Sequence, residues 1–276
     1  MTKQVQGTPH EFQKRYGPWV LIAGASEGVG AALAREMASR SINCMLVARR
    51  SEQLERLAEK IRIDFRVEVT THSIDLATDC ASADLASAVG DREIGTYIYN
   101  AGADTRADRF VDLPVDAWSG MVRRNVLTMM ESCHFFAGAM ARRGHGGLMI
   151  IGSEAALCAA ARAGIYSATK AFGLALGEAL WAEMAPQGVD VLNVLLGATD
   201  TPMLRERLRL SGISPQAIKL ALPDEVARSA IDQLAHGPTY VAYADPEDTD
   251  ILTSAQARRA RVLSASQKFA SFLKAD

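Results

Sequence analysis

Tyr166 and Lys170 are the two residues whose types and spacing most clearly suggest chemistry, and Ser153 precedes them in the chain. Residues four apart project from the same face of a helix, which would place the Lys170 ammonium beside the Tyr166 phenol. A phenol ordinarily has a pKa of about 10, and a neighbouring cation lowers that pKa by favouring the phenolate. The pair therefore predicts a tyrosine that exchanges protons with a substrate. The same spacing also occurs in ordinary amphipathic helices, so the surrounding sequence has to decide.

A glycine-rich segment follows the first apolar run of the chain. It reads Gly-Ala-Ser-Glu-Gly-Val-Gly from Gly24 to Gly30, and a helical pattern comes next. Glycine adopts backbone angles closed to other residues, and the N–H groups at a helix N-terminus bind phosphate. We expect a dinucleotide-binding turn, although an ordinary glycine turn is the alternative for this segment alone. The candidate contacts are Gly24, Ser26, Glu27, Gly28, Val29 and Gly30.

The end of the second predicted strand decides between NAD and NADP. An acidic residue there typically binds the ribose 2′-hydroxyl of NAD, but this chain has Ala48 followed by Arg49 and Arg50. Two guanidinium groups can pair with a 2′-phosphate, so the sequence favours NADP(H). Glu27 argues against this, because its carboxylate would lie near the same phosphate. The alternative for the two arginines is a solvated pair at the start of a helix.

Short apolar runs alternate with helical patterns from Pro18 onward. Strands are predicted at 19–23, 44–47, 67–74, 96–99, 148–151 and 189–195. Helices are predicted at 51–63, with Ser51 as the cap, at 115–143 and at 164–185. Continuous apolar strands between helices are typical of a parallel sheet covered on both faces. We predict an α/β fold with a Rossmann-like, doubly wound parallel sheet in three α/β/α layers and a single domain.

Composition and charge exclude several classes of function. The chain has 276 residues, of which 49% are hydrophobic and 22% charged, and its net charge is −2, so a nucleic-acid partner is not expected. The sequence lacks an apolar stretch long enough for a signal peptide or a membrane span, and we expect a soluble cytoplasmic protein. Its four cysteines and five histidines show no metal-binding spacing, which predicts buried thiols and no metal site.

From about Trp19 to Met203 the sequence resembles the short-chain dehydrogenase/reductase family. The resemblance rests on the glycine segment, Asp75, Asn100-Ala101-Gly102, Asn125, Ser153, and Tyr166 with Lys170. It implies a seven-stranded Rossmann-like sheet and an oxidoreductase that uses a nicotinamide cofactor. We expect an N-terminal extension at 1–17, the family domain at 18–245 with a substrate lid at about 199–222, and a C-terminal tail at 246–276.

The resemblance also implies a role for each matching residue. Tyr166 would exchange the proton with the substrate oxygen, and Lys170 would lower the pKa of Tyr166 and bind the nicotinamide ribose. Ser153 would hydrogen-bond the substrate oxygen, and Asn125 would hold a water that relays protons to Lys170.

The remaining matches imply contacts to the cofactor. Asp75 would contact the adenine, and Asn100, with Ala101 and Gly102, would lie beside the adenosine ribose. The segment that contains Gly197, Thr199 and Thr201 would lie over the cofactor. Leu196 stands where the family usually has proline, which predicts a less well defined turn.

The region after Thr201 suggests the class of substrate. It contains seven leucine and isoleucine residues between charged residues, and the small residues of 155–161 lie between Ser153 and Tyr166. The resemblance makes the first segment a lid, which predicts a roomy apolar pocket for a bulky ketone or secondary alcohol such as a steroid, an acyl thioester or an aromatic ketone. The alternative is that these leucines pack a lid helix onto the core.

Two glycines, Gly173 and Gly177, lie inside the helix predicted to carry Tyr166. Glycine inside a helix costs about 1 kcal/mol relative to alanine, which predicts a close approach by a neighbour. The resemblance implies that this neighbour is a second subunit, in a homodimer or homotetramer. Two other functions remain open: an NAD-dependent alcohol dehydrogenase of the same family, and a non-catalytic NADP(H)-binding sensor.

Overall fold

The computed structural model describes residues 9–102 and 108–242 of the chain. Within them, seven parallel strands form one sheet in the order β3-β2-β1-β4-β5-β6-β7. The strands are β1 (Trp19–Ala23), β2 (Asn43–Ala48), β3 (Val69–Ser73), β4 (Ile94–Tyr99), β5 (Gly146–Ser153), β6 (Val189–Leu196) and β7 (Thr239–Ala242). This sheet confirms the predicted Rossmann-like fold. The predicted tail at 246–276 lies outside the described residues.

Helices cover both faces of the sheet. They are α1 (Pro9–Tyr16), α2 (Gly28–Ser39), α3 (Ser51–Phe65), α4 (Ala81–Val89), α5 (Val115–Val122), α6 (Met129–Arg143), α7 (Gly164–Met184), α8 (Pro202–Leu210) and α9 (Pro223–Asp232). No described helix is both long enough and apolar enough to cross a membrane.

Alternate side chains of each central strand enter opposite cores, as the two-residue repeat of a strand requires. In β1, Ile22 packs with α2, α3 and α9, whereas Leu21 packs on the other face with α4, α6 and α7. All five residues of β1 are buried. The apolar runs of the sequence are therefore continuous because both faces of the strand need apolar side chains.

The order of the strands reverses at β1. Strands β2 and β3 lie on one side of β1, and β4 to β7 lie on the other side. A crevice opens at the carboxyl ends of the strands at such a reversal. Gly24 follows β1, Asn100 follows β4, and Ser153 is the last residue of β5. The topology thus gathers the predicted site residues at one edge of the sheet.

The helix predicted at 115–143 has an irregular centre. Residues Arg123–Thr128 form a π-helical turn between α5 and α6. The predicted ends are confirmed, because α5 begins at Val115 and α6 ends before Gly144, whose φ of 79° is left-handed. Asn125 therefore lies in a widened turn that the hydrophobic pattern did not reveal.

Three local predictions are wrong. Ser51 is the first residue of α3, not its cap, and the preceding Arg50 makes no side-chain capping bond. Cys44 and Cys133 are buried thiols, but Cys80 is exposed and Cys158 is half-buried. Leu196 extends β6 in register with Ser153 and Ala242, so strand pairing defines this position without proline.

The two glycines of α7 have neighbours within the same chain. A Cβ on Gly177 would overlap the Asn193 carboxamide of β6, and a Cβ on Gly173 would lie 3.3 Å from Met129 of α6. Close approach to the chain's own β6 and α6 therefore accounts for both glycines. The two glycines therefore give no evidence for a second subunit, and the homodimer or homotetramer stays a prediction.

Candidate active site

The glycine segment is tied to the ends of three strands. The N–H groups of Gly24 and Ala25 donate to the Val47 carbonyl at 2.8 and 3.0 Å. The Asn100 side chain donates to the Gly24 carbonyl at 2.7 Å. A Cβ on Gly30 would overlap that same carbonyl, and Gly24 has a φ of 91°, so neither position has room for a side chain. These contacts bring α2 close to the end of β1.

Glu27 precedes α2, and its side chain does not cap the N–H groups of the first turn. The carboxylate instead pairs with the Arg50 guanidinium at 2.9 Å. Arg50 also donates to the Ser26 hydroxyl at 3.1 Å. The helix N-terminus therefore presents its backbone donors to the cleft, which is the arrangement that binds a pyrophosphate.

Tyr166 and Lys170 lie in the first turns of α7, facing the end of β5. The Lys170 ammonium donates to the Ile151 carbonyl at 3.0 Å and lies 5.8 Å from the centre of the Tyr166 ring. Burial, and secondarily the charge of Arg124, lowers the pKa of Lys170 to about 8. The Ser153 hydroxyl accepts a bond from the Ala155 N–H at 3.2 Å, which leaves its own proton available to a ligand.

Asn125 is buried behind Lys170 and is held at both ends of its carboxamide. Its nitrogen donates to the Thr169 hydroxyl at 3.0 Å and to the Gly102 carbonyl at 3.4 Å. Its oxygen accepts from Arg124 Nε at 3.1 Å. The π-helical turn places this carboxamide against α7, and π-helical turns are frequent at functional sites.

These elements enclose one cleft of about 800 Å³. The predicted residues that line it are Gly24, Ser26, Glu27, Gly28, Val29, Arg49, Arg50, Asp75, Asn100, Ala101, Gly102, Ser153, Tyr166, Lys170, Gly197, Thr199 and Thr201. Gly30 and Asn125 lie behind the wall, where they shape it. Asp75 also accepts a bond from the Ala77 N–H at 3.0 Å, in a turn that follows β3.

One wall of the cleft was missed in the sequence. The same face of α5 and of the π-helical turn contributes Asp116, Ala117, Gly120, Met121 and Arg124. These residues recur at three- and four-residue intervals, so they share one face of the helix. Asn125 lies four residues after Met121, which places it on the same face. That spacing was the available signal.

Only some of the apolar residues predicted to face a ligand line the cleft, whereas the lid at about 199–222 stays a prediction. Met203 and Leu204 of α8 line the cleft, but Leu208 is packed inside the protein, and Leu210 and Leu222 are exposed. The described wall of the cleft includes no residue of 155–161, and Ala160 and Ala161 instead line a separate cavity of about 160 Å³. Apolar surface near Tyr166 therefore comes from fewer residues than predicted.

The residues present fit a nicotinamide dinucleotide. Arg49 and Arg50 follow β2, whereas Ser153 ends β5, and the sheet order separates these strands by three spacings. At about 4.8 Å per spacing the two ends of the cleft are roughly 14 Å apart, a span suited to an extended dinucleotide. The glycine turn at β1 lies between them, where the pyrophosphate would be. Among the described residues, no group of three or more His, Cys, Asp or Glu side chains could hold a metal ion.

Comparisons with known proteins agree with this architecture. Residues 18–210 match the family described as short chain dehydrogenase. A 7β-hydroxysteroid dehydrogenase of Clostridium sardiniense is 30% identical over 232 residues, which cover 84% of this chain and 87% of the relative.

Two solved structures are similar over most of their length. A structure of a 7β-hydroxysteroid dehydrogenase has a TM-score of 0.78 and 30% identity, with 87% of this chain and 91% of the other covered. A short-chain dehydrogenase from Sphingobium yanoikuyae in complex with NADPH has a TM-score of 0.75 and 28% identity, with 92% and 96% covered.

Proposed function

Since this chain belongs to the short-chain dehydrogenase family, we propose that it is an NADP(H)-dependent oxidoreductase acting on a bulky, hydrophobic ketone or secondary alcohol. The observation that carries the proposal is the convergence of Ser153, Tyr166 and Lys170 at the cleft beside the glycine turn. A bound nicotinamide supplies or accepts the hydride in this reaction. The chain provides binding, orientation and the proton.

Tyr166 donates its phenol proton to the carbonyl oxygen during reduction and takes the proton back during oxidation. Ser153 donates a hydrogen bond to the same oxygen and stabilises the charge that develops there, because its other contact uses only a lone pair. A hydrogen bond from the Lys170 ammonium to the Ile151 carbonyl holds that ammonium beside the Tyr166 ring. Asn125 completes the proton relay to Lys170.

The arginines after β2 support the choice of NADP(H). Arg50 is kept at the cleft by Ser26 and Glu27, and the exposed Arg49 lines the same end. A 2′-phosphate carries close to two negative charges, so it would compete with the single charge of Glu27 for these guanidinium groups. The solved NADPH complex of the Sphingobium protein is consistent with this choice.

Apolar side chains support the substrate class. Met121, Met203 and Leu204 line the cleft together with Leu196 and Ala198. Concave apolar walls with a few polar groups favour hydrophobic ligands. The resemblance to 7β-hydroxysteroid dehydrogenases adds support for a steroid-sized substrate.

The test is NADPH oxidation across a panel of ketones that runs from small polar compounds to steroids and aromatic ketones. We expect the highest kcat/KM with large apolar ketones and with NADPH rather than NADH. Turnover of small polar carbonyls alone would reject the substrate class. Absence of turnover despite tight NADPH binding would favour the sensor, the non-catalytic alternative.

Arg49→Asp tests the cofactor assignment, because it replaces a cation at the 2′-phosphate end with an anion. We expect the ratio of kcat/KM for NADPH to that for NADH to fall about 100-fold, as repulsion replaces attraction. Arg56→Asp makes the same change of charge on the exposed face of α3 and serves as the control. A higher kcat/KM with NADH in the unmodified protein would establish the NAD-dependent alternative.

We also propose a homodimer or homotetramer. Met130 and Phe135 on α6 and Trp181 on α7 expose 39%, 46% and 38% of their surface, which supports association with another subunit. The resemblance to the family implies that α7 packs against its counterpart in that subunit. Light scattering on the purified protein should give at least twice the monomer mass of 29.7 kDa. A monomer at micromolar concentration would reject this proposal.

A further inference from the structure

Arg124 is anchored at both its backbone and its side chain. The hydroxyl of the buried Tyr99 donates to the Arg124 carbonyl from the end of β4. Arg124 Nε donates to the Asn125 carboxamide oxygen at 3.1 Å. The π-helical turn that carries Asn125 is therefore tied to the sheet through one residue.

The same contacts reach the proposed proton-transfer group. Asn125 donates to the Thr169 hydroxyl at 3.0 Å, and that hydroxyl donates to the Tyr166 carbonyl at 2.8 Å. A Cβ on Gly102 would lie 2.8 Å from the Asn125 oxygen and 3.3 Å from Lys170 Nζ, so both atoms adjoin the same glycine. Arg124 thus acts on the oxygen of the carboxamide that packs beside Lys170.

We propose that Arg124 is a positioning residue for proton transfer: its guanidinium fixes the Asn125 carboxamide and places a permanent positive charge beside Lys170. The inference rests on the proposed function and extends it to a residue outside the four proposed catalytic residues. The effect of Arg124 passes through Asn125 and through its charge.

Electrostatics agree with the geometry. Burial is the first cause that lowers the pKa of Lys170 to about 8, and the charge of Arg124 is the second. The described groups next to Lys170 are Tyr166 of α7, the Ile151 carbonyl of β5 and Gly102 after β4, and the charge of Arg124 also acts on it. Asp116 of α5 and Ser153 of β5 line the same cleft. Loss of the Arg124 charge would raise the pKa of Lys170, because the positive charge that repels its ammonium would be gone.

Arg124→Met tests the proposal, with Arg123→Met as the matched control. Arg123 lies in the same turn, and its charge pairs with the exposed Asp79 at 2.5 Å on the outside of the protein. For Arg124→Met we expect kcat to fall about 10- to 100-fold, because a misplaced catalytic group costs that much. We also expect the alkaline limb of the pH profile to move up by about half a unit. The dissociation constant for NADPH, measured by fluorescence, should change less than about threefold.

Arg124→Lys keeps the charge but not the planar guanidinium, so it should retain the pH profile of the unmodified protein and recover only part of kcat. It also provides the measurement if Arg124→Met does not fold. Equal kcat and equal pH limbs in Arg123→Met and Arg124→Met would overturn the proposal, as would an effect confined to the KM for NADPH or to the melting temperature. If the unmodified protein reduces no ketone, the proposed function fails instead. That result differs from a failure of the Arg124 proposal, because it is seen in the unmodified protein before any variant is measured.

Discussion

At the scale of single residues, Lys170 combines a charge with nearly complete burial. Its ammonium can donate three hydrogen bonds, and the Ile151 carbonyl receives one of them at 3.0 Å. An amine in such a position is costly to charge, which is why its pKa falls to about 8. The residue is therefore close to its titration point at physiological pH, next to the proposed acid, Tyr166.

Tyr166→Phe removes the phenol oxygen and leaves the ring packing unchanged. We expect the rate of ketone reduction to fall about 100- to 10,000-fold, since this is the usual contribution of a general acid. NADPH binding, followed by fluorescence, should be retained. Tyr240→Phe, on β7 and away from the lining of the cleft, is the control. Similar activity in the two variants would exclude Tyr166 as the proton donor.

Lys170→Met should change how stability depends on pH. The pKa of lysine is about 10.4 in an unfolded chain. Because the folded value is about 8, the unfolded state binds more protons between these two pH values. Below pH 8 the buried Lys170 has to be charged in the folded state, which lowers the free energy of unfolding. As pH rises through this window that cost disappears, so the free energy of unfolding increases, and it decreases again as pH falls back to 8.

We expect the unfolding free energy of Lys170→Met, relative to the unmodified protein, to decrease by about 2 kcal/mol from pH 8 to pH 10. Denaturant unfolding at several pH values measures this difference. The exposed Lys219 offers the control Lys219→Met. A difference that stays constant with pH would mean that Lys170 titrates at its ordinary value.

At the scale of elements, helix α7 connects the site to the rest of the sheet. It begins at Gly164, close to Tyr166, and packs along β6, where Asn193 fills the space beside Gly177. A helix that carries the proposed catalytic groups needs such a fixed position, because small displacements reduce the rate of a reaction strongly. The absence of a side chain at Gly177 allows this close approach.

Gly177→Ala should destabilise the protein by about 2 kcal/mol, since the added methyl group overlaps a buried side chain. Gly138→Ala, in α6, has room for its methyl group and should stabilise the protein by up to about 1 kcal/mol. The measurement is denaturant unfolding at two protein concentrations. The effect of Gly177→Ala should not depend on concentration, because the crowding is within one chain. A loss confined to dilute protein would restore the subunit interface as the reason for this glycine.

At the scale of the whole molecule, the cleft is assembled from segments far apart in the sequence. The glycine turn, the ends of β2 to β6, the face of α5 and the start of α8 all contribute to it. A ligand that bridges these segments binds the folded state and not the unfolded chain. Binding must therefore stabilise the whole domain.

NADPH at about 100 times its dissociation constant should add about 2.7 kcal/mol to the unfolding free energy. For a chain of this size the melting temperature should then rise by roughly 5 to 10 °C. Differential scanning fluorimetry with NADPH and NADH at equal concentrations makes the comparison. We expect the larger shift with NADPH, and Arg49→Asp should reduce that shift selectively. Equal shifts from both cofactors would contradict the proposed role of the arginines.

The sequence by itself determined the fold class and most of the cleft, because strand ends in a parallel sheet must meet at one edge. The apolar runs identified the strands, and the residues after each run, such as Gly24, Asn100 and Ser153, were placed correctly for that reason. Tyr166 and Lys170 were paired by helical spacing alone.

Only the tertiary structure decided the contacts that depend on distant segments. The π-helical turn at Asn125, the bond between Arg124 and that carboxamide, and the pairing of Glu27 with Arg50 have no local pattern in the chain. The same is true of Gly177, whose neighbour Asn193 lies on another element. Local spacing fixes which side chains share a face, whereas packing between elements fixes what each face meets.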